Sequence, residues 1–141
     1  MISLAETAWL AGFIDGEGSF GLHTHVGRKM QLCPSFSMNN THFATMSIVI
    51  DLMKKLGIRY VAGIKRRHCE GRKDQVYLYV KNKDGLVKLL KTIEPHLVTK
   101  KLQVLLMLRY FQIHKSFAHA TEEEFRIADE IKELNAYGRM Y

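Results

Sequence analysis

The sequence predicts an α+β fold in the order αββαββα, with additional helices at the C-terminal end. Three observations predict it. A helix-period segment followed by two alternating segments occurs twice at similar spacing. The alternating segments carry their apolar residues on one side only, as a four-stranded antiparallel sheet with one open face requires. The last third of the chain returns to helical patterning. At 141 residues the chain suits one domain, 1–141, with a substantial core.

The first helix is expected from about Leu4 to Asp15, opened by a capping box of Ser3 and Glu6. Ala8, Ala11, Gly12 and Asp15 fall on one side of it, and Trp9, Leu10, Phe13 and Ile14 cover the rest. A helix apolar almost all round is expected to be buried almost all round. Its stripe of small residues lets another backbone come close. Two strands follow. Ser19, Gly21, His23 and His25 alternate with Phe20, Leu22, Thr24 and Val26, and after a turn near Gly27 to Met30, Leu32, Pro34, Phe36 and Met38 alternate with Cys33, Ser35 and Ser37. Pro34 argues for an edge or a distorted strand.

The second helix spans roughly Thr41 to Leu56, with Phe43, Met46, Ile50 and Met53 at helical spacing and Gly57 ending it. A second hairpin runs from Tyr60 to about Arg67, through a basic tip, and back over Asp74 to Val80. Gln75, Tyr77 and Tyr79 share one face of its return strand, and Val76, Leu78 and Val80 the other. Helices are expected near Asp84 to Ile93 and Thr99 to His114, with Leu105, Met107, Leu108 and Phe111 assigned to the core. Thr121 and Glu124 fit a capping box for a final helix to about Tyr137.

The chain is 47% hydrophobic and carries a formal charge of +7, unevenly spread. Residues 54–73 hold eight Lys or Arg against one acid, Glu70, while Glu122, Glu123 and Glu124 gather near the end. One surface is thus built to meet a polyanion. Two distant cysteines, Cys33 and Cys69, point to a reducing compartment. No signal peptide or membrane-length apolar run is expected, so neither is a membrane partner.

The segment WLAGFIDGEGSF, Trp9 to Phe20, carries the chemistry. It delivers Asp15 and Glu17 where a helix ends and a strand begins. A carboxylate at a helix C-terminus gains nothing from the helix dipole. A bound hard cation supplies a reason for it, because carboxylate and free backbone carbonyl oxygens, such as that of Gly16, suit Mg²⁺. His23 and His25 are spaced to share a metal on one strand face, but no third ligand stands nearby, so structural zinc is not expected.

LAGFIDGEG, Leu10 to Gly18, resembles the signature of the LAGLIDADG homing endonucleases. The likeness extends to the repeated helix–hairpin order and to FSMNNTHF, DLMKKLGI and TIEPHLVTKKLQ. It implies a single-motif, homodimeric member, whose motif helices pair through Ala8, Ala11, Gly12, Asp15 and Gly16. It implies a site-specific endonuclease that hydrolyses both strands of a long, nearly palindromic DNA target across the minor groove, leaving short 3′ overhangs. By the same resemblance, Glu17 is the metal-binding acid, with the Gly16 carbonyl beside it. Lys100 is the basic active-site residue, with Lys101 its neighbour. Asn40 is the polar residue that positions solvent. The implied cofactor is Mg²⁺, with Mn²⁺ able to substitute and Ca²⁺ able to bind without supporting cleavage; no small organic cofactor is implied. Such genes are often intron-encoded, organellar ones included, which fits an intracellular protein.

The open sheet face is expected in the major groove, where an antiparallel ribbon fits. His23, His25, Gln31, Ser35 and Ser37 of the first hairpin and Arg66, His68, Gln75, Tyr77 and Tyr79 of the second are candidates for reading bases. Lys65, Arg67, Arg72 and Lys73 are assigned to phosphates. Two rivals stand beside the nuclease: a non-cleaving nucleic-acid binder or intron-splicing maturase on the same scaffold, and a structural protein with a basic surface.

Overall fold

The computed structural model describes residues 1–24, 31–67, 70–115 and 119–137. Its elements follow the expected order: α1 Leu4–Glu17, β1 Gly18–Thr24, β2 Leu32–Asn40, α2 Phe43–Leu56, β3 Val61–Lys65, β4 Gln75–Val80, α3 Lys83–Ile93, α4 Lys101–Ile113 and α5 Glu122–Tyr137. A 3-10 turn, Glu94–His96, links α3 to the approach to α4. No helix among the described residues is long and apolar enough to cross a membrane.

The strands form one antiparallel sheet in the order β1-β2-β4-β3. Alternation decides its faces. Phe20, Leu22, Leu32, Phe36, Met38, Val76, Leu78 and Val80 are all buried on the helix side. Phe20 and Phe36 pair across β1 and β2 and stack at 5.1 Å between ring centroids. Pro34 lies in a central strand, yet β2 pairs with β4 only from Phe36 onward, so Pro34 falls beyond that pairing. The missing N–H is accommodated there as it is at an edge.

Local chemistry sets the helix ends. Ser3 and Glu6 close both halves of the capping box on α1. Gly57 ends α2 at φ 70°, the left-handed conformation that favours glycine. At α5, Thr121 Oγ1 accepts from the Glu124 N–H at 3.2 Å, but the rest of the expected box is replaced. The Glu124 carboxylate turns inward, buried, and accepts from His114 Nδ1 at 3.0 Å. That ring stacks on Tyr110, whose hydroxyl is pushed up to about 12 by burial and by the nearby Glu124 carboxylate. α5 is thereby fastened to α4. It also covers the outer edge of β1, where the Asn135 amide donates to the Phe20 carbonyl at 2.8 Å.

Two expectations change. α1 continues two residues beyond Asp15, so Glu17 is its last residue rather than a residue past its end. And α1 is buried on only one side. Leu10, Ala11 and Ile14 are fully buried, while Leu4, Ala5, Ala8, Trp9, Gly12 and Gly16 are exposed. In α4, Met107 is in the core as expected, but Leu105 is exposed.

The helix-to-strand corner depends on Gly18. A β-carbon there would lie 2.8 Å from the Ile14 Cγ2 and carbonyl oxygen and 2.9 Å from the Phe36 ring. Backbone and core residues block it, so neither can simply rotate away. Gly18→Ala is expected to lower the unfolding free energy by roughly 1–3 kcal/mol in a urea titration. An unchanged midpoint would show that the corner relaxes freely.

Candidate functional site

The end of α1 is where three segments of the chain converge. Asp15 Oδ2 accepts from the backbone N–H groups of Val98 at 3.0 Å and Thr99 at 2.9 Å, and Oδ1 accepts from that of Lys100 at 2.7 Å. These donors precede α4, whose N-cap residue, Lys100, makes no capping bond with its own side chain. Asp15 therefore caps α4 from another helix of the same chain. Burial opposes its ionisation, but the N–H groups of Thr99, Lys100 and Val98 and the Lys100 charge outweigh it and hold the carboxyl below its ordinary value.

The clamp is reciprocal, since Lys100 Nζ donates to the Asp15 carbonyl oxygen at 2.5 Å. The half-buried Lys100 ammonium is thus fixed against the last turn of α1, two residues from Glu17. Lys101 points elsewhere, pairing with Glu94 at 3.4 Å and donating to its carbonyl at 3.3 Å. Of the two adjacent lysines, only Lys100 is at the site.

Glu17 is exposed, and among the described residues its carboxylate makes no hydrogen bond or ion pair. The carbonyl of Gly16 belongs to the last turn, where helical carbonyls lack intrahelical partners. Asn40 ends β2 at the same end of the sheet, two residues beyond the Gly18–Met38 pair. Its Oδ1 accepts from the His42 N–H at 2.8 Å, which fixes the amide beside the N-terminus of α2. His42 itself caps that helix, its Nδ1 accepting from the Thr45 N–H. The donors at the α1 end are hard oxygens and suit a hard divalent cation. Among the described residues no three His, Cys, Asp or Glu side chains of one protomer gather around a common point.

Of the small residues assigned to a helix seam, Ala8, Gly12 and Gly16 lie on the open side of α1, and a β-carbon on either glycine would meet nothing within 4 Å. Ala11 does not belong with them. It is fully buried inside the protomer, because the stripe winds around the helix into the core. Asp15 is occupied by the turn before α4.

The open sheet face begins at Ser19, two residues after Glu17. The register places Ser19, Ser37, Tyr79 and Val61 in one row across it, and Asn39, Tyr77 and Gly63 in the next. Ser35 lies opposite Gly21, and the His23 ring folds over the space that glycine leaves. Tyr77 and Tyr79 stack at 6.0 Å, and Lys81 Nζ lies 4.8 Å above the Tyr79 ring. Gln31 is exposed just before β2, and Arg72 and Lys73 are exposed between Gly71 and β4. His25 and His68 lie outside the described residues.

At the second hairpin the expected phase reverses. Lys65 pairs with Gln75 and shares its face, and Arg67 reaches the same face, where its Nη2 donates to Gln75 Oε1 at 3.3 Å. Arg66, expected to read bases, instead ion-pairs with Asp74 at 3.6 Å. The cause is Asp74, which accepts from the Arg67 backbone N–H at 2.9 Å and fastens the two arms. Asn39 and Lys81 were missed as face residues. Each lies one more step of two along a strand whose phase is plain from the sequence, after Ser35 and Ser37 and after Tyr77 and Tyr79.

The chain has the fold of the LAGLIDADG homing endonucleases, and the helix carrying LAGFIDGEG is the one whose end gathers Asp15, Glu17 and Lys100. It is similar to the homing endonuclease I-CvuI, crystallised on a DNA target with 2 mM Mg and the DNA not cleaved, at a TM-score of 0.63 and 20% identity over 92% of this chain and 82% of that one. It is similar to the homing endonuclease I-TnaI at a TM-score of 0.52 and 22% identity, covering 91% of this chain and 97% of that one. It also matches the LAGLIDADG meganuclease I-AabMI bound to uncleaved DNA, at a TM-score of 0.65 and 24% identity, over 92% of this chain but 44% of the other. No protein-family model and no curated protein matches at the level of sequence.

The Asp15 clamp has a pH signature. A carboxyl held below its ordinary value of 3.8 adds stability above that value and loses it as the pH falls through the lower native one. Asp15→Asn is expected to cost about 1.5–3 kcal/mol at neutral pH, the scale of hydrogen bonds to a charged group. It should also flatten the acid limb of a stability–pH profile below about pH 4. A variant whose profile parallels the parent's down to acid pH would show that Asp15 carries no linkage.

Proposed function

We propose that the chain is a site-specific, Mg²⁺-dependent DNA endonuclease that acts as a homodimer and cuts both strands of a nearly palindromic duplex across the minor groove, leaving short 3′ overhangs. The observation that carries this reading is the end of α1. There Glu17, which has no hydrogen-bond or ion-pair partner among the described residues, the Gly16 carbonyl and a fixed Lys100 lie together, beside a helix face whose glycines meet nothing within 4 Å of a β-carbon among those residues. An apolar helix side bearing Leu4, Ala8, Trp9 and Gly12 in the open is unfavourable in water and is satisfied by a second α1. The lengths of the similar proteins support this. The chain spans nearly all of I-TnaI but under half of I-AabMI, so the same unit occurs alone in one and with more chain in the other.

Pairing two α1 helices brings two copies of Glu17 together, and a DNA phosphate adds to that negative charge. Glu17 and the Gly16 carbonyl would hold the cation, which when bound polarises the scissile phosphate and lowers the pKa of water. Lys100 places a positive charge at the same point, held there by Asp15, to offset charge that develops in the transition state. Asn40, with its oxygen committed to His42, keeps its amide N–H groups available to orient solvent. The sheet face, bordered by the basic hairpin, enters the major groove. Two copies cover on the order of 20 base pairs.

A duplex library selected by binding in Ca²⁺ and then challenged with Mg²⁺ tests this. The parent chain should cut both strands of the enriched sites in Mg²⁺ only. Glu17→Gln should keep binding and lose cutting by roughly a thousandfold or more. Binding without cutting by the parent would establish the non-cleaving alternative, and cutting by Glu17→Gln at the parent rate would remove Glu17 from the site. Gly12→Leu should leave the protomer folded but sediment as a monomer and make no double-strand breaks. A dimeric Gly12→Leu would place the seam elsewhere.

A further inference from the structure

Arg67, Gln75 and Asn39 form a closed hydrogen-bond relay on the open sheet face. Gln75 Oε1 accepts from Arg67 Nη2 at 3.3 Å and from Asn39 Nδ2 at 3.2 Å. All three come from different segments, β2, the end of the β3 arm and β4, and Asp74 fixes Arg67 through its backbone N–H. A guanidinium can only donate. The Gln75 group that meets it must therefore be the amide oxygen, which turns the Gln75 NH₂ away from the pair. The Asn39 group that meets the same oxygen must in turn be its NH₂, which leaves the Asn39 carbonyl facing outward. Glutamine and asparagine ordinarily offer either polarity by flipping; here one arginine sets both.

We propose that this trio is a polarity-fixed base reader, in which Gln75 presents only donors to the major groove while Asn39 keeps its carbonyl and one N–H for it. The proposal rests on the reading that the sheet face enters that groove. Its consequence is specific. A free glutamine pairs with adenine through both its oxygen and its nitrogen, but the Gln75 oxygen is already taken. Gln75 is left to select edges with acceptors, guanine N7 and O6 or thymine O4, with adenine N7 as a single weaker contact, and to reject cytosine, whose groove edge offers a donor. Asn39, two strand positions nearer the α1 end, keeps one acceptor and one donor, the pair that fits adenine N6 and N7. One shared oxygen thus gives two neighbouring amides different preferences within each half-site.

Binding selection on randomised half-sites, read by sequencing in Ca²⁺ so that no cutting is needed, tests the proposal. The parent should favour guanine or thymine over cytosine by roughly tenfold at one position. Gln75→Glu turns that donor into an acceptor while keeping both inner bonds, and should switch the preference there to cytosine. Arg67→Met frees the Gln75 amide to pair with adenine through its oxygen and nitrogen together, and should raise adenine to the preferred base at the same position, with the rest of the half-site unchanged. Base preferences that neither variant alters, or a parent preference for cytosine at the position Gln75→Glu changes, would overturn the proposal alone. A parent chain that enriches no sequence at all would overturn the endonuclease reading as well.

Discussion

The structure depends on a single reciprocal clamp: the Asp15 carboxylate caps the turn before α4, and the Lys100 ammonium caps the end of α1. Each charge meets a helix end of the opposite sign. The carboxylate lies at an N-terminus, where N–H groups point outward, and the ammonium at a C-terminus, where carbonyls do. Residues 85 apart in sequence are thus joined by bonds that satisfy groups both helices would otherwise leave open. Lys100 is positioned by the same contact. Because Asp15 is committed to this contact, the cation of the proposed reaction falls to Glu17. The two acids of the motif do different work, one inside the chain and one outside it.

α1 shows how two demands on one helix are separated by angle. Leu10, Ala11 and Ile14 fill the core under the sheet. Ala8, Gly12 and Gly16 face out, and a β-carbon on either glycine would meet nothing within 4 Å among the described residues. Gly18 is small for the opposite reason, because the strand must leave the helix against Ile14 and Phe36. Gly12 and Gly18, six residues apart in one motif, thus answer to opposite conditions, open space at the first and a blocked corner at the second.

Much of this was legible in the sequence. The element order and the faces of β1, β2 and β4 follow from alternation, and the ends of α1 and α2 from Ser3 with Glu6 and from Gly57. What was not legible has physical causes. Helical periodicity reports that α1 is apolar all round, but not which part of that surface its own chain covers, so Ala11 was placed on the seam. The phase of Lys65, Arg66 and Arg67 depends on Asp74, a contact across a hairpin arm whose register local patterning does not fix. The partner of Asp15 lies far along the chain and consists of backbone N–H groups, which leave no mark in side-chain pattern. The buried Glu124 looks like half of a capping box in the sequence and finds a better partner in half-buried His114.

The proposed cutting and reading roles are also connected by arithmetic. β1 starts at Gly18, directly after Glu17, and runs outward along the reading face. At about 3.3 Å per residue, the six residues from Glu17 to His23 span about 20 Å. A DNA strand advances about 3.4 Å per nucleotide, so that span corresponds to about six base pairs from the acid to the far end of the described strand. β2 returns over the same distance in antiparallel register, bringing Asn39 close to the acid end and Cys33 level with His23. On the proposed function, base-reading side chains are graduated outward from Glu17 in steps of two residues. A displacement of the strand by one residue would turn every residue of the open face into the core. The packing of Phe20 against Phe36 on the hidden face therefore fixes both the stability of the sheet and the spacing of its open-face residues from Glu17.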